Sequence, residues 1–230
     1  TGWQQNGSTY YYYDANGELH KGWLNTENGY YYLNLSTGKM TVGWEKINNK
    51  WYYFQGNGVM ATGWVKDNGK YYYMLTDGTM HTGWVSIDGV YYYLGDSGAM
   101  ATGWVNMDNG WYYFDPNDGK CTVNSAREIK DSWYMFGSDG KMVTGWQQVD
   151  GGYYYFHTDG RMLTGWLSDG TNSYYMDPAN GRMSTGWKQI ENSYYYFNNS
   201  GHKLTGWVQI DGTYYYLNPS DKGRMAANTT

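Results

Sequence analysis

Tryptophan follows glycine at regular intervals along the sequence, and the chemistry of the indole ring is the first indication of function. Aromatic runs such as Tyr91-Tyr92-Tyr93 follow these Gly-Trp pairs. Indole and phenol rings attract cations to their faces and offer flat apolar surfaces to sugar rings. The pattern therefore indicates either aromatic packing or recognition of a cation or a sugar. The Gly-Trp indoles are Trp3, Trp23, Trp44, Trp64, Trp84, Trp104, Trp146, Trp166, Trp187 and Trp207.

The spacing of these rings reveals an internal repeat. Successive Gly-Trp tryptophans lie 20 or 21 residues apart, except for a step of 42 between Trp104 and Trp146. We interpret the long step as one degenerate copy, in which Val123-Asn124 stands in the Gly-Trp position. The array then holds eleven units: six over residues 1–121, the degenerate seventh over 122–142, and four with the C-terminal end over 143–230.

A second landmark, Gly-x-Met, closes most units. We expect Leu19, Cys121 and Leu204 to take the Met position in the three units that lack it. Cys121 is the single cysteine, so the chain has no disulfide framework, and its place in the repeat predicts a buried and inert thiol. The methionines of the motif are Met40, Met60, Met80, Met100, Met142, Met162, Met183 and Met225.

The composition predicts a fold built around aromatic side chains. Leu, Ile, Val and Phe account for only 30 of the 230 residues, too few for an ordinary aliphatic core. Disorder is equally improbable, because Trp and Tyr alone supply 13 and 29 residues and the net charge is only -5. Many small shared surfaces fit this composition better than one deep core.

Each unit reads as a β-hairpin. Asp88-Gly89, Asp150-Gly151, Asp211-Gly212 and Asn48-Asn49 fall four and five residues after a Gly-Trp indole. Such pairs tolerate the positive φ of a two-residue hairpin turn, and the aromatic run that follows favours an extended return strand. A lone hairpin is marginal in water, so successive hairpins are expected to stack. The prediction is an all-β solenoid of about eleven stacked hairpin repeats of 20 to 21 residues.

The turn also sets the register of each hairpin. With Asp88-Gly89 at the turn, Trp84 pairs with Tyr93 and Ile87 with Val90, so Trp84, Tyr91 and Tyr93 share one face. When like hairpins stack in series, that face meets the opposite face of the next hairpin. Trp84 and Tyr91 are then expected to approach Tyr112, and each junction becomes a small gap with three aromatic walls.

One stretch, TVNSAREIKDSW at residues 122–133, departs from the repeat pattern. We expect it to form a hairpin two residues longer than the others rather than a separate active site.

The unit GWEKINNKWYYFQGNGVMATGW at residues 43–64 resembles the cell-wall-binding repeat of choline-binding proteins from Gram-positive bacteria. The resemblance extends from Gly2 to Met225, and related repeats occur in glucan-binding domains and clostridial toxins. It implies a site at each junction, made by the Gly-Trp indole, the first aromatic of the return strand and an aromatic of the next repeat, with the Met-position residue nearby. The eight complete sets are Trp3, Tyr10 and Tyr31; Trp23, Tyr30 and Tyr52; Trp44, Trp51 and Tyr72; Trp64, Tyr71 and Tyr92; Trp84, Tyr91 and Tyr112; Trp104, Trp111 and Tyr134; Trp146, Tyr153 and Tyr174; and Trp187, Tyr194 and Tyr215.

Three junctions depart from this arrangement, and we expect them to be weak or empty. Asn124 replaces the indole in the seventh unit, which leaves Trp133 and Tyr154 without their partner. Ser173 replaces the first return-strand aromatic in the ninth, and no further hairpin follows Trp207.

The resemblance implies a non-catalytic module outside the cell that binds choline, or choline-bearing teichoic acid, at the cell wall. Two alternatives stay open: a glucan- or glycan-binding domain, and an array used as a spacer or for self-association. The first return-strand position is more often Tyr than Trp, which weakens a choline cage because Trp is the better cation–π partner.

Other functions are not indicated. His20, His81, His157 and His202 occupy unrelated repeat positions without metal-ligand spacing, and no cofactor motif or catalytic carboxylate pair stands out. The 16 basic residues form no cluster for nucleic acid, and no apolar stretch is long enough for membrane insertion. The opening Thr1-Gly2-Trp3 is not a secretory leader, so we expect a piece of a larger enzyme or adhesin.

Overall fold

The fold is all β and consists of antiparallel hairpins that follow one another along the chain. The computed structural model describes residues 1–107 and 110–226, and within them eleven hairpins pair consecutive strands. The predicted class, an all-β array of eleven hairpin repeats, is confirmed. The final hairpin gains a third, two-residue strand, and a short 3₁₀ turn precedes that strand.

The strands are β1 Gly2–Asn6, β2 Thr9–Tyr13, β3 Gly22–Thr26, β4 Gly29–Leu33, β5 Gly43–Ile47, β6 Lys50–Phe54, β7 Gly63–Asp67, β8 Lys70–Met74, β9 Gly83–Ile87, β10 Val90–Leu94, β11 Gly103–Met107, β12 Gly110–Phe114, β13 Ser125–Ile129, β14 Ser132–Phe136, β15 Gly145–Val149, β16 Gly152–Phe156, β17 Gly165–Ser168, β18 Ser173–Met176, β19 Gly186–Ile190, β20 Ser193–Phe197, β21 Gly206–Ile210, β22 Thr213–Asn218 and β23 Arg224–Met225. The 3₁₀ turn is Pro219–Asp221.

The four turn pairs identified in the sequence, at residues 48–49, 88–89, 150–151 and 211–212, have the predicted positive φ at both residues. Asp88 and Gly89 have φ values of 52° and 79°, so both central residues are left-handed, as a type I′ turn requires. Trp84 pairs with Tyr93 and Ile87 with Val90. The predicted register is therefore confirmed.

The glycine of each Gly-Trp pair is also left-handed. Gly83, which begins β9, has a φ of 85°, and a Cβ built on it would meet no atom within 4 Å. Backbone conformation, and not crowding, therefore requires glycine before the indole.

The core receives one buried side chain from the end of each return strand after the first. Leu33, Phe54 and Leu94 are examples, and each lies opposite the glycine that begins its hairpin. The indole of the preceding repeat packs on this residue: the Trp23 and Phe54 ring centroids are 5.9 Å apart. Burial is thus shared between neighbouring repeats, as the composition indicated.

The Met position connects each repeat to the one before it. The Met100 amide donates to the Tyr71 carbonyl at 2.7 Å, and the Met80 amide donates to that of Trp51 at 2.8 Å. The Met80 side chain then packs beneath the bend of the following repeat, where a Cβ on Gly98 would overlap its Sδ. The close approach and the φ of 77° together explain the glycine of the Gly-x-Met motif.

The chain divides into two compact units. One contains residues 1–105 and 113–121, and the other contains 106–112 and the residues from 122 onward, so the division runs through the sixth hairpin. The last four residues of the predicted C-terminal segment, 227–230, lie outside the described residues.

The seventh hairpin corrects two predictions. Ala126 pairs with Met135 in the register that Trp146 and Tyr155 occupy one repeat later. Its turn is Lys130-Asp131, with positive φ at both residues. The hairpin therefore has the ordinary length rather than two extra residues, and Ser125-Ala126 stands in the Gly-Trp position instead of Val123-Asn124.

The physical reason is an extra residue in the segment that precedes the hairpin. Asn124 has a φ of 44°, so the left-handed residue of this repeat lies one position before Ser125, which stands in the place of the Gly-Trp glycine. Asn tolerates this conformation better than other residues with a side chain. The 42-residue step between Trp104 and Trp146 does not show whether the extra residue lies before the strand Ser125–Ile129 or in the turn after it.

The tenth repeat corrects the Met position. Lys203 forms the bridge with Phe197 that Met162 forms with Phe156, and its amide donates to the Ser173 carbonyl at 2.8 Å. Lys203, and not Leu204, is therefore the residue in this position. It lies two residues after Gly201, as every Gly-x-Met motif requires.

Candidate functional site

The junction beside Trp64 shows how consecutive repeats build a ring-lined cavity. Its volume is about 310 Å³, and its aromatic walls are Trp64, Tyr71 and Tyr92. The Trp64 and Tyr92 rings lie edge to face with centroids 5.0 Å apart. Trp64 remains 37% exposed, so the indole is held by packing and still presents a surface to a ligand. Met100 lines the same cavity.

The same arrangement recurs at two other junctions. A cavity of about 350 Å³ is lined by Trp44, Trp51 and Tyr72 together with Met80. The centroid of Trp44 lies 4.7 Å from that of Tyr72 and 6.4 Å from that of Trp51. The Trp44 indole also donates to an Asp67 carboxylate oxygen at 3.2 Å, which orients the ring.

The third such cavity lies in the other compact unit, beside Trp146. Its volume is about 310 Å³, and Tyr153, Tyr174 and Met183 line it with the indole. The Trp146 and Tyr174 centroids are 5.0 Å apart. Each of the three cavities thus combines the three predicted aromatics with the methionine of the second repeat.

Residues from a third repeat also line these cavities, and sequence reasoning missed them. Asn117 and Asp118 line the Trp64 cavity, and Asn199 and Ser200 line the Trp146 cavity. They belong to the bend two repeats beyond the indole. The polar bend preceding each Gly-x-Met was visible in the sequence, but only the stacking distance reveals which junction it reaches.

The other predicted sets differ in what the structure brings together. The indole touches the Tyr of the next repeat at Trp3, Trp23 and Trp187, with centroid separations of 4.8, 5.0 and 4.9 Å to Tyr31, Tyr52 and Tyr215. Their outer aromatics Tyr10, Tyr30 and Tyr194 are exposed. The sets Trp84, Tyr91 and Tyr112, and Trp104, Trp111 and Tyr134, draw on both compact units and stay predictions.

The ninth junction holds a cation supplied by the chain itself. The Lys203 ammonium lies 5.2 Å from the centre of a Trp166 ring and donates to the Lys222 carbonyl at 2.7 Å. Burial, with a smaller effect of the Lys222 charge, lowers the pKa of Lys203. Ser173 takes the first return-strand position and supplies no ring there. This junction therefore lacks one aromatic wall and has Lys203 in the position where other repeats have methionine.

The last Gly-Trp indole is largely uncovered. Trp207 is 73% exposed and packs on its own strand partner Tyr216, with centroids 5.2 Å apart. It provides a wall without a complete cavity among the described residues.

Two of the tyrosine walls, Tyr52 and Tyr174, have a raised pKa and are therefore neutral phenols at neutral pH. Burial raises the pKa of Tyr52, and the Asp77 carboxylate adds to the effect. Burial also raises the pKa of Tyr174, whose hydroxyl donates to Asp169 at 2.8 Å. At the mouth of the Trp64 cavity, the hydrogen bond from Lys120 lowers the pKa of Asp118 and keeps that carboxylate charged.

Three further observations on the described residues concern metal-ligating groups, membrane-spanning helices and the single cysteine. Residues 1–107 and 110–226 contain no group of three His, Cys, Asp or Glu side chains able to hold a metal ion. In the same residues, no helix has the length and apolarity needed to cross a bilayer. Burial raises the pKa of the Cys121 thiol to about 11, in line with an inert packing residue.

A choline-binding repeat family model matches residues 41–82, 81–125, 143–185 and 184–229, and a putative cell wall binding repeat model matches residues 1–19. The chain belongs to the choline-binding repeat family. Repeats of this family are non-catalytic modules, and the proteins that carry them are associated with the cell surface or cell wall in streptococci.

Solved structures of the family are similar along the whole chain. CbpJ from Streptococcus pneumoniae is 31% identical, with a TM-score of 0.68, and the match covers 100% of this chain and 96% of CbpJ. CbpF from the same species, in the presence of a tetrasaccharide-pentapeptide peptidoglycan analogue, is 30% identical with a TM-score of 0.65. CbpF in complex with ipratropium is 29% identical with a TM-score of 0.61, and both CbpF matches cover 100% of this chain and 95% of CbpF. No curated protein sequence matches the chain.

Proposed function

We propose that this chain is a choline-binding module that holds its carrier on the outside of the cell by recognising choline on cell-wall teichoic acid. The observation that carries the proposal is the cavity formed by Trp64, Tyr71 and Tyr92, which recurs beside Trp44 and Trp146. Each cavity presents ring faces and a methionine to a ligand and has room for a trimethylammonium group. Such aromatic cages bind quaternary ammonium ions through cation–π attraction.

Lysine ammonium groups of the chain lie over aromatic rings at two junctions, one of them the Trp64 cavity. The Lys66 Nζ atom is 5.1 Å from the Tyr71 ring centre, and the Lys203 Nζ atom is 5.2 Å from that of Trp166. The net charge of -5 favours a cationic ligand, while the Asp118 carboxylate beside the Trp64 cavity is paired with the Lys120 ammonium at 2.8 Å. The ring faces and the net charge therefore support choline over an anionic ligand at these cavities.

The expected affinity of one cage is low, and the number of cages compensates. A cation–π contact contributes about 0.5–2 kcal/mol, so three walls give a dissociation constant of roughly millimolar order. Several linked cages that face a polymer with many choline groups gain about 10²–10⁴ in avidity. A repeat array suits a repetitive wall polymer for this reason.

A relative supports the same ligand chemistry. Ipratropium, with which CbpF forms a complex, carries a quaternary nitrogen. The complex was observed with CbpF. The ring-lined cavities of this chain are the reason for proposing that it also binds a quaternary ammonium ion.

Intrinsic tryptophan fluorescence tests the proposal. The chain is titrated with choline, with ethanolamine as the matched primary ammonium, and with dextran. We expect saturation with choline near millimolar concentration and a much weaker response to ethanolamine. A response to dextran alone would support the glycan alternative, and silence with all three would leave a spacer or self-association array.

A further inference from the structure

The seventh junction contains a cavity unlike the three aromatic cages. Its volume is about 690 Å³, roughly twice that of the cavities beside Trp44, Trp64 and Trp146. All of its lining residues belong to one compact unit. Trp133 and Tyr154 line it in the places that Tyr153 and Tyr174 take one repeat later.

The missing indole explains the volume. Ala126 holds the register position of the Gly-Trp tryptophan and lines the cavity with a methyl group. The remaining rings are then too few to surround a small cation, because a cage depends on several ring faces acting together. This junction is therefore a poor site for a trimethylammonium group but has room for a larger ligand.

The lining combines one exposed ring with several neutral polar groups and one carboxylate, that of Asp131. Trp133 is 44% exposed and offers a flat apolar face, and Met162 is a further apolar lining residue. The polar lining residues are Asn124, Ser125, Asp131, Ser132, Thr164 and Asn180. Among the described residues that line the cavity there is no Lys or Arg, so these residues do not favour an anionic ligand.

These polar groups are available to a ligand. Within residues 1–107 and 110–226, the side chains of Asn124 and Asp131 make no hydrogen bond. The Asn180 carbonyl oxygen accepts from the Arg182 amide at 2.9 Å, which fixes the side chain and leaves its NH₂ group to donate. Amide and hydroxyl groups can both donate and accept, as the hydroxyl groups of a sugar require.

We propose that this cavity binds a pyranose ring of a neutral glycan, stacked on Trp133 and hydrogen-bonded by the amide and hydroxyl groups of the same lining. A flat apolar face beside convergent polar groups is the lining expected of a site for such a ligand. The proposal concerns the seventh junction alone and does not depend on choline binding at the aromatic cages.

Methionine-methyl NMR resolves this junction from the others. Met135 and Met162 line the cavity of the seventh junction. Met183 lines the cavity beside Trp146 and serves as an internal control. Isomaltotriose and chitotriose are the probes, since they distinguish a glucan from an N-acetylated glycan. We expect one or both to shift the Met135 and Met162 methyl signals saturably and to leave that of Met183 unchanged.

Three variants make the test specific. Trp133→Ala should weaken the saccharide response by about tenfold, because it removes the stacking face. Ala126→Trp restores the residue found at this register position in ten other repeats, so it is expected to fold, and it should abolish the response by filling the cavity. Asn180→Ala provides a milder change at the exposed bend, with an intermediate loss.

Several outcomes would overturn the proposal. They are no shift of Met162 with either saccharide, a Met162 response to choline in the unmodified chain, or a saccharide response that survives Trp133→Ala. A failure of choline to shift Met183 bears on the proposed function instead, so the two hypotheses fail separately.

Discussion

Replacing Trp64 with Ala tests the central claim that the indole is both a structural wall and a ligand surface. Trp64 contacts Tyr73 and Tyr92 with centroid separations of 5.1 and 5.0 Å. Loss of the strongest cation–π wall should cost about 1–2 kcal/mol of choline binding, or roughly 5- to 30-fold in affinity at this cage. Because Trp64 is only partly buried, the free energy of unfolding should fall by about 2–3 kcal/mol, less than at a fully buried Trp.

The assay must resolve one cage from its neighbours, and methionines make this possible. Met100 lines the Trp64 cavity, Met80 the cavity beside Trp44, and Met183 that beside Trp146. In a choline titration followed by methionine-methyl NMR, Trp64→Ala should weaken the Met100 response and leave the apparent dissociation constants at Met80 and Met183 unchanged. Each repeat contacts mainly its neighbours, so the effect stays local.

Trp207→Ala is the matched control, since it also removes a Gly-Trp indole, but one that is 73% exposed. It should leave the Met80, Met100 and Met183 responses intact. The reasoning would be refuted if Trp64→Ala unfolded the whole chain at 25 °C, because the indole would then be core. It would equally be refuted if the Met100 response survived unchanged.

Four further tests address single residues. Lys203→Met should free the Trp166 ring from its internal cation. In methionine-methyl NMR, the substituted side chain should then show a choline-dependent shift. An unchanged choline response would show that the lysine does not occupy the junction. Gly98→Ala should lower the free energy of unfolding by about 1–3 kcal/mol in urea titrations, because its left-handed backbone and the methionine beneath it leave no place for a Cβ. Hydrogen bonds from backbone amides and a tyrosine lower the pKa of Asp169 to about 2. Its contribution to the free energy of unfolding should therefore be complete above about pH 4 and be lost as the pH falls toward 2. In urea titrations over this pH range, Asp169→Asn should remove that part of the acid dependence. Cys121 should react with a thiol reagent at pH 8 only after unfolding, since burial raises its pKa to about 11, and rapid reaction of the folded chain would contradict this.

The repeat register was predictable because it depends on short-range backbone preferences. Asp88-Gly89 marks a turn that admits only left-handed residues, and from it the pairing of Trp84 with Tyr93 follows by counting. The contact between an indole and the Tyr of the next repeat was also predictable, since alternation along a strand determines which side chains share a face. The indole at Trp64 meets Tyr92 as this reasoning requires.

The errors in reading the sequence arose where a single inserted or substituted residue could be placed in more than one way. In the seventh unit, an extra residue moved the Gly-Trp position to Ser125-Ala126, and only strand pairing located it. In the tenth, Leu204 is apolar and adjacent to the Met position, but the backbone bridge assigns that position to Lys203.

The sequence by itself determined the hairpins, their register and which aromatic faces meet, because all of these follow from local turn chemistry and a period of 20 or 21 residues. Tertiary structure decided what each junction became. The distance between stacked repeats brings Asn117 and Asp118 to the Trp64 cavity, places the Lys203 ammonium over Trp166, and leaves a wide cavity at Ala126. These outcomes depend on side-chain volume and on contacts across one or two repeats, which no local pattern contains.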